Sequence, residues 1–388
     1  MRLLVISHSY MEPLPRQKWI ALQEVAPDIE VLVITPRRWP DRDFLWLIHS
    51  KPYTNGKLRF IPIDISFGGY VSRHFYRSPR LISLLRQFQP NIIQVEAEPW
   101  SVVYSQMALL RQLFAPKSKL VFFTWWNTPR QIPFPFSISH RLCLRATNFV
   151  IAGNHGALEV LQAHGYQGPV AIVPQLGVDD RLYKSETKDE TLVQQYGLAE
   201  AFVIGYVGRL TKPKSVDTLL EAAARLKFSD WRLLIVGDGP ERTSLEAQAT
   251  GLGIGQQVNF TGTIEREAIP HYLNCMDALV LPSNRDQCEQ FGHVLIEAMS
   301  CGVPVIGSTS GEIPYVIEDV GLIFPMGNIQ ALADHIYNCA NNKHLWLNNK
   351  KLGLQKVQEQ YSHLAVARRL AKIYQDLNTR KKSENDKD

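Results

Sequence analysis

The sequence predicts a mixed α/β protein made of two doubly wound, parallel-sheet units that face each other across a cleft. Three observations lead there. Short apolar runs alternate with amphipathic stretches through most of the 388 residues. The alternation starts afresh after a polar run at Lys184-Ser185-Glu186-Thr187-Lys188-Asp189-Glu190. The chain is also long enough for two separate cores.

In the first half, strands are expected at 3–7, 30–35, 92–95, 120–124, 149–152 and 170–173. Each is an apolar run of strand length bounded by turn residues. Helices are expected at 17–25, 79–88, 102–114 and 156–164, where apolar residues recur with helical spacing. The insert at 39–76 is irregular, with one extra strand at 58–63. The polar run places a linker at 184–200, dividing a first domain, 1–183, from a second, 201–360. Strands follow at 202–207, 232–236, 258–260, 278–281 and 303–306. Helices are expected at 216–226, 242–250, 266–274, 291–300 and 328–340. Residues 361–388 read as a last amphipathic helix, 364–377, and a charged tail from Thr379 without order.

A 45% hydrophobic and 20% charged composition is that of a soluble globular protein. No apolar run reaches the roughly 20 residues of a membrane span. The apolar start Met1–Ile6 is too short for a secretory signal and reads as a buried strand. Cys143, Cys275, Cys288, Cys301 and Cys339 lie far apart, which suggests neither a disulfide frame nor a zinc site. A reducing cytoplasm is the expected compartment.

Residues 1–180 carry a net charge of +7 and the remainder −2. A basic first half suggests an anionic surface or ligand. Arg73, Arg77, Arg80 and Arg86, interleaved with Phe75, Tyr76, Leu81 and Leu84, read either as a patch resting on lipid headgroups or as a solvated helix face. Nucleic acid is not an expected partner, because no recognised binding module accompanies the charge.

The chemistry concentrates in the second half. Glu289 and Glu297 stand eight residues apart, on either side of Gly292. Eight fully helical residues would separate them by about 12 Å and roughly 80° around the axis, too far to share a metal or a proton. Between them lie the backbone amides of Gly292 and His293, at an expected helix start suited to an anion. Carboxylate, anion site, carboxylate is an arrangement for sugar, diphosphate and ribose; taken alone, the pair also reads as two solvated glutamates near a helix start. Gly208-Arg209…Lys214 follows a strand directly and offers two cations for a diphosphate.

These segments, with Val236-Gly237-Asp238-Gly239-Pro240, Phe260-Thr261-Gly262, Leu281-Pro282-Ser283 and Cys301-Gly302-Val303-Pro304-Val305-Ile306, resemble in order and spacing the retaining family-four glycosyltransferases of the GT-B fold (glycosyl transferases group 1). The resemblance implies two facing Rossmann-like domains, with the acceptor on the first and a nucleoside diphosphate sugar on the second. It implies that Arg209 and Lys214 bind the diphosphate and stabilise the leaving group. Glu289 would hold the transferred sugar, and Glu297 the ribose. Phe291, Gly292 and His293 would meet sugar or phosphate oxygens, and Ile264 would lie beside the base. Glu289, Arg209 and Lys214 are the catalytic candidates. No metal or other cofactor is expected. The acceptor would be a glycan or lipid-linked saccharide, with peripheral contact at the inner face of an anionic membrane.

Three departures from the family pattern stand out. Ser215 and Gln290 replace glycines that usually follow the lysine and the first glutamate. Trp126, beside Asn127, stands where many relatives carry a histidine near the reacting sugar. The first-strand loop lacks the usual glycine pair and holds Glu12, Arg16 and Lys18 instead. Glu12, Arg16, Trp126 and Asn127 are therefore the acceptor-side candidates. His8 and His155 read as structural, and Asp41-Arg42-Asp43 as a mimic of a metal motif. A nucleotide-sugar epimerase and a non-catalytic nucleotide-sugar binder remain as rival readings.

Overall fold

The computed structural model describes residues 1–40, 47–134, 136–228, 230–284 and 289–385; Asp41-Arg42-Asp43 and Cys288 lie outside the described residues. The chain divides into two compact units, Met1–Gly177 with His363–Asp388, and Val178–Ser362.

The first unit opens with β1 (Arg2–Ser7), α1 (Gln17–Val25) and β2 (Glu30–Pro36). The irregular insert forms β3 (Arg38–Pro40), β4 (Leu47–His49), β5 (Tyr53–Asn55), β6 (Leu58–Ile63), β7 (Ile65–Ser66) and β8 (Phe75–Tyr76). Regular winding resumes with α2 (Ser78–Phe88), β9 (Ile92–Glu96), α3 (Val102–Phe114) and β10 (Lys119–Thr124). It ends with α4 (Phe136–Ala146), β11 (Phe149–Ala152), α5 (His155–Ala163) and β12 (Val170–Ile172). Eight strands make one sheet in the order β12-β11-β10-β9-β1-β2-β6-β5, parallel except for β5 at the edge. β3 pairs with β4, and β7 with β8, as separate hairpins.

β1 and β2 are nearly continuous apolar runs because both sheet faces are covered. α2, α3 and α4 contribute to the core on one face. α1 and the last helix, α14 (His363–Asn385), contribute to the core on the other. The expected domain limits therefore shift: the C-terminal helix is a structural part of the first unit. It also runs past residue 377 into the charged run expected to lack order, whose lysines and glutamate are good helix formers.

A buried polar network ties α1, β9 and α14 together. Lys18 Nζ lies 3.0 Å from Glu96 Oε1, both side chains sealed from solvent. Tyr10 donates to the other oxygen of Glu96 at 2.6 Å, and Gln94 donates to Oε1 at 2.8 Å. The Tyr374 hydroxyl on α14 donates to Gln94 at 2.7 Å. Lys18 also lies 4.6 Å from the Trp19 ring and 5.3 Å from that of Phe123. Lys18 is thus a core residue of α1, with its ammonium turned inward to Glu96.

In the second unit, α6 (Glu190–Tyr196) occupies the span expected to be linker, capped by Asp189 and closed by Gly197. Then come β13 (Phe202–Val207), α7 (Val216–Ala223), β14 (Trp231–Val236), α8 (Arg242–Gly251) and β15 (Val258–Gly262). They are followed by α9 (Ile269–Asn274), β16 (Ala278–Leu281), α10 (His293–Ser300), β17 (Val305–Ser308) and α11 (Ile313–Ile317). β18 (Leu322–Phe324), α12 (Ile329–Asn341) and α13 (Lys343–Lys356) complete the unit. The parallel sheet has the order β15-β14-β13-β16-β17-β18. Strand order reverses between β13 and β16, and such a reversal opens a crevice at the strand C-termini.

Removing one member of the buried pair leaves the other charge uncompensated. Lys18→Met is expected to cost about 3–5 kcal/mol in urea unfolding, with Lys18→Met/Glu96→Leu recovering most of it. A single variant as stable as the parent would show that the network adds nothing.

Candidate functional site

Four loops leave the C-terminal ends of β15, β14, β13 and β16, which are neighbours in the second sheet. Their backbones are laced together. Gly208 N–H donates to Val236 O, Leu210 N–H to Asp238 O, and Gly237 N–H to Gly262 O. The loop after β13 turns through a short 3-10 helix, Lys212–Lys214, and Pro213 O accepts from Asn284 N–H in the loop after β16. The two loops that flank the strand reversal are thereby joined.

Across that reversal, Lys214 Nζ meets Glu289 Oε2 at 2.5 Å. Ser283, which is buried, donates to the same oxygen at 2.9 Å. The Glu289 backbone is pinned as well, its carbonyl accepting from Glu312 N–H at 2.9 Å. Gly311 permits this approach: at φ +52°, an added Cβ would come within 2.2 Å of the Glu289 carbonyl oxygen. Arg209 is exposed, and its carbonyl accepts from the Tyr206 hydroxyl at 2.9 Å. Burial holds the Tyr206 phenol above its usual range, Glu289 raises it further, and Arg209 lowers it. Both charges therefore act on one hydroxyl beneath the loops.

α10 begins at His293, two residues later than predicted, with Gly292 as its N-cap at φ +77°. A Cβ at Gly292 would lie 3.1 Å from Leu281 and Leu295, so glycine suits this cap on both counts. Phe291 stands edge-on to His293 at 5.2 Å and to Tyr361 at 5.7 Å. Glu297 lies in the second turn, with Arg266 Nη2 3.4 Å from its Oε1. Burial raises its pKa above the ordinary carboxylate range, while Arg266 and a hydrogen bond with Tyr183 pull it down. Ile264, two residues before Arg266, is half-buried against the unit's core. The structure thus gathers Lys214, Glu289 and the α10 start, and gives the two glutamates separate partners. Tyr183 and Arg266 were missed, since neither carries a local motif.

Ser215 adopts φ +48° and ψ +46°, the left-handed region that glycine enters freely. The serine therefore makes the turn of the expected glycine, at higher backbone cost. Gln290 is exposed.

On the first unit, the acceptor-side candidates separate. Arg16 is buried, and its guanidinium donates to the carbonyls of Tyr10, Met11 and Lys51 and to the Ser50 hydroxyl. It lies 4.7 Å from the Phe60 ring. Arg16 therefore braces the first-strand loop, and only a small part of it reaches the cavity that it lines with Glu12. Glu12 is exposed on the rim of a cavity of about 460 Å³. Trp126 is half-buried, edge-on to Trp100 at 5.0 Å, with its indole N–H donating to Thr128 O at 2.5 Å. Asn127 backs onto Gly156, where a Cβ would come within 2.8 Å of it.

A cluster not expected from sequence lies at the ends of β1 and β10. His8 stacks on Trp39 at 5.1 Å, with His74 at 5.8 Å and Trp125 at 6.0 Å. Among the described residues, the buried His8 Nδ1 has no hydrogen-bond partner. Burial, with His74 adding to it, lowers the His8 pKa to about 3, so the ring is neutral at physiological pH.

Ser215→Gly is expected to change thermal stability by no more than about 1 kcal/mol in favour of folding, because relief of the left-handed cost is partly offset by glycine entropy. Ser215→Val should destabilise the unit, and equal melting points for all three would contradict the strain assigned here.

Residues 188–353 match the family described as Glycosyl transferases group 1. Among curated proteins, the chain is similar to N-acetyl-alpha-D-glucosaminyl L-malate synthase of Bacillus anthracis. That match is 30% identical over 204 residues, covering 52% of this chain and 52% of that protein. It is also similar to the alpha-D-kanosaminyltransferase of Streptomyces kanamyceticus, 29% identical over 50% of each chain. The chain thus spans about half the length of these curated relatives. Among solved structures, Anabaena Alr3699/HepE in complex with UDP superposes with a TM-score of 0.74 at 19% identity, over 97% of this chain and 100% of that one. The match to the glycosyl transferases group 1 family thus lies within the second unit, and the chain has the GT-B fold of two Rossmann-like domains.

Proposed function

We propose that this protein is a retaining, metal-independent glycosyltransferase, acting in polysaccharide or cell-envelope biosynthesis at the cytoplasmic face of the membrane. It moves a hexose-type unit from a nucleoside diphosphate sugar to a glycan or lipid-linked saccharide. The observation that carries this reading is the Lys214–Glu289 pair, held across the strand reversal beside the start of α10. The activities in the names of its relatives point the same way, and one structural neighbour was crystallised with UDP.

In this reading the diphosphate meets Lys214, Arg209 and the first amides of α10. Glu289, relieved of its lysine, accepts hydrogen bonds from sugar hydroxyls, with Ser283 keeping the carboxylate in place. Glu297 takes the ribose. The acceptor hydroxyl attacks C1 on the face the diphosphate leaves. One C–O bond breaks as the other forms, and the acceptor proton passes to the departing phosphate oxygen. Charge grows on that oxygen in the transition state, where two fixed cations and a helix start act most strongly. Binding without turnover is a second reading, favoured by Trp126 in place of the expected histidine.

Lys214→Ala is expected to lower kcat by about 10²–10³-fold while costing no more than about 1 kcal/mol in stability. A parallel thermal-shift screen of UDP-, GDP- and ADP-sugars should show one class raising the melting point. Stabilisation by a donor with no transfer to any saccharide acceptor would select the binding-only reading.

Glu289→Gln should abolish transfer and leave nucleotide affinity nearly intact. Because burial raises the Glu297 pKa, this carboxylate gains its proton at higher pH than an ordinary one. Donor affinity should therefore weaken as pH falls from neutral toward that raised value, and Glu297→Gln should remove this part of the pH profile. An unchanged profile in Glu297→Gln would take ribose binding away from Glu297.

A further inference from the structure

α3 and α4 lie side by side on one face of the first sheet. Ser105 and Ser139 share a 2.9 Å hydrogen bond, and Arg111 donates to Ala146 O at 3.2 Å. Their inner sides are ordinary core: Val103, Met107 and Leu110 on α3, and Cys143 and Leu144 on α4. Their outer sides are not ordinary surface. Leu109 and Leu113 stand one turn apart on α3, and Ile138 and Leu142 one turn apart on α4, all at least half exposed. Phe134, 79% exposed, precedes α4.

Charge singles out the same region. Residues 99–158 contain six Lys and Arg and no Asp or Glu. Arg141 and Arg145 stand exposed on α4 between and beyond Ile138 and Leu142. Among the described residues neither has a carboxylate partner. An exposed apolar stripe with cations and no anions complements a surface that is negative outside and apolar beneath. The patch expected from sequence is a poorer candidate, since Tyr76 and Leu81 are fully buried.

We propose that the outer face of α3 and α4 docks this protein on a bilayer of anionic lipid. Leu109, Leu113, Ile138 and Leu142 enter the boundary between headgroups and acyl chains, while Arg141 and Arg145 engage lipid phosphates. The inference deepens the membrane part of the proposed function, and its test reads lipid binding without using transfer.

The experiment is flotation of the full chain with vesicles of phosphatidylcholine alone and of equal parts phosphatidylcholine and phosphatidylglycerol. Binding is expected to the mixed vesicles only and to weaken with salt. Arg141→Gln/Arg145→Gln should lower the partition coefficient roughly thirtyfold. Leu113→Ser/Leu142→Ser should lose binding to a similar extent, with unchanged circular dichroism and melting point. Arg77→Gln/Arg80→Gln, on the neighbouring helix, should retain most binding. Absence of flotation overturns the proposal, as does loss in Arg77→Gln/Arg80→Gln with retention in the α4 variants. Lipid-free self-association abolished by Leu113→Ser/Leu142→Ser would assign the face to a second copy instead, and would also overturn it. None of these outcomes depends on whether the chain transfers sugar.

Discussion

A lysine and a glutamate 2.5 Å apart, 75 residues from each other in the chain, set the character of the second unit. Neither loop would hold its shape alone. The first turns through a strained serine, and the second is fastened by Ser283, by Asn284 to Pro213, and by the Glu289 backbone against Gly311. Their meeting follows from sheet topology. β13 lies between β14 and β16, so successive crossovers part in opposite directions and leave a gap where loops converge. In the function proposed above, that ion pair exchanges its partners on binding: a diphosphate takes the lysine, and sugar hydroxyls donate to the glutamate.

The first unit places its ionic chemistry differently. There the Lys18–Glu96 pair lies inside the sheet packing, with Tyr10, Gln94 and Tyr374 filling the remaining hydrogen-bond capacity. Such a pair adds little net stability over an apolar core, but it defines which helices pack where. The Tyr374–Gln94 bond fixes α14 on the first sheet, although 280 residues separate the two. At its strand ends this unit buries the neutral His8–Trp39–His74–Trp125 cluster, and the outer sides of α3 and α4 expose leucines, an isoleucine and the arginines of α4.

Local periodicity made most elements legible. The buried strands β1, β2, β10 and β13 are largely apolar runs, β9 adds Gln94 and Glu96 to its apolar residues, and glycine follows β13 and β14 and ends β15 where the loops turn. α4 escaped although its buried residues His140, Cys143 and Leu144 share one helical face, because exposed Ile138 and Leu142 stand on the other. α6 escaped because its polar approach looks like linker, whereas Asp189 is its cap.

The candidate site divides along the same line. Arg209, Lys214, Glu289, Gly292 and Glu297 became candidates through their order and spacing together with the family resemblance, and loops at the ends of parallel strands bring Lys214 to Glu289. Whether a charged residue is buried or presented is decided by contacts far along the chain, which spacing does not encode. Arg16 and Lys18 look alike in sequence to any surface cation, yet one is held by backbone carbonyls and the other by a glutamate 78 residues away. Tyr183 and Arg266 reach Glu297 for the same reason, through tertiary packing alone.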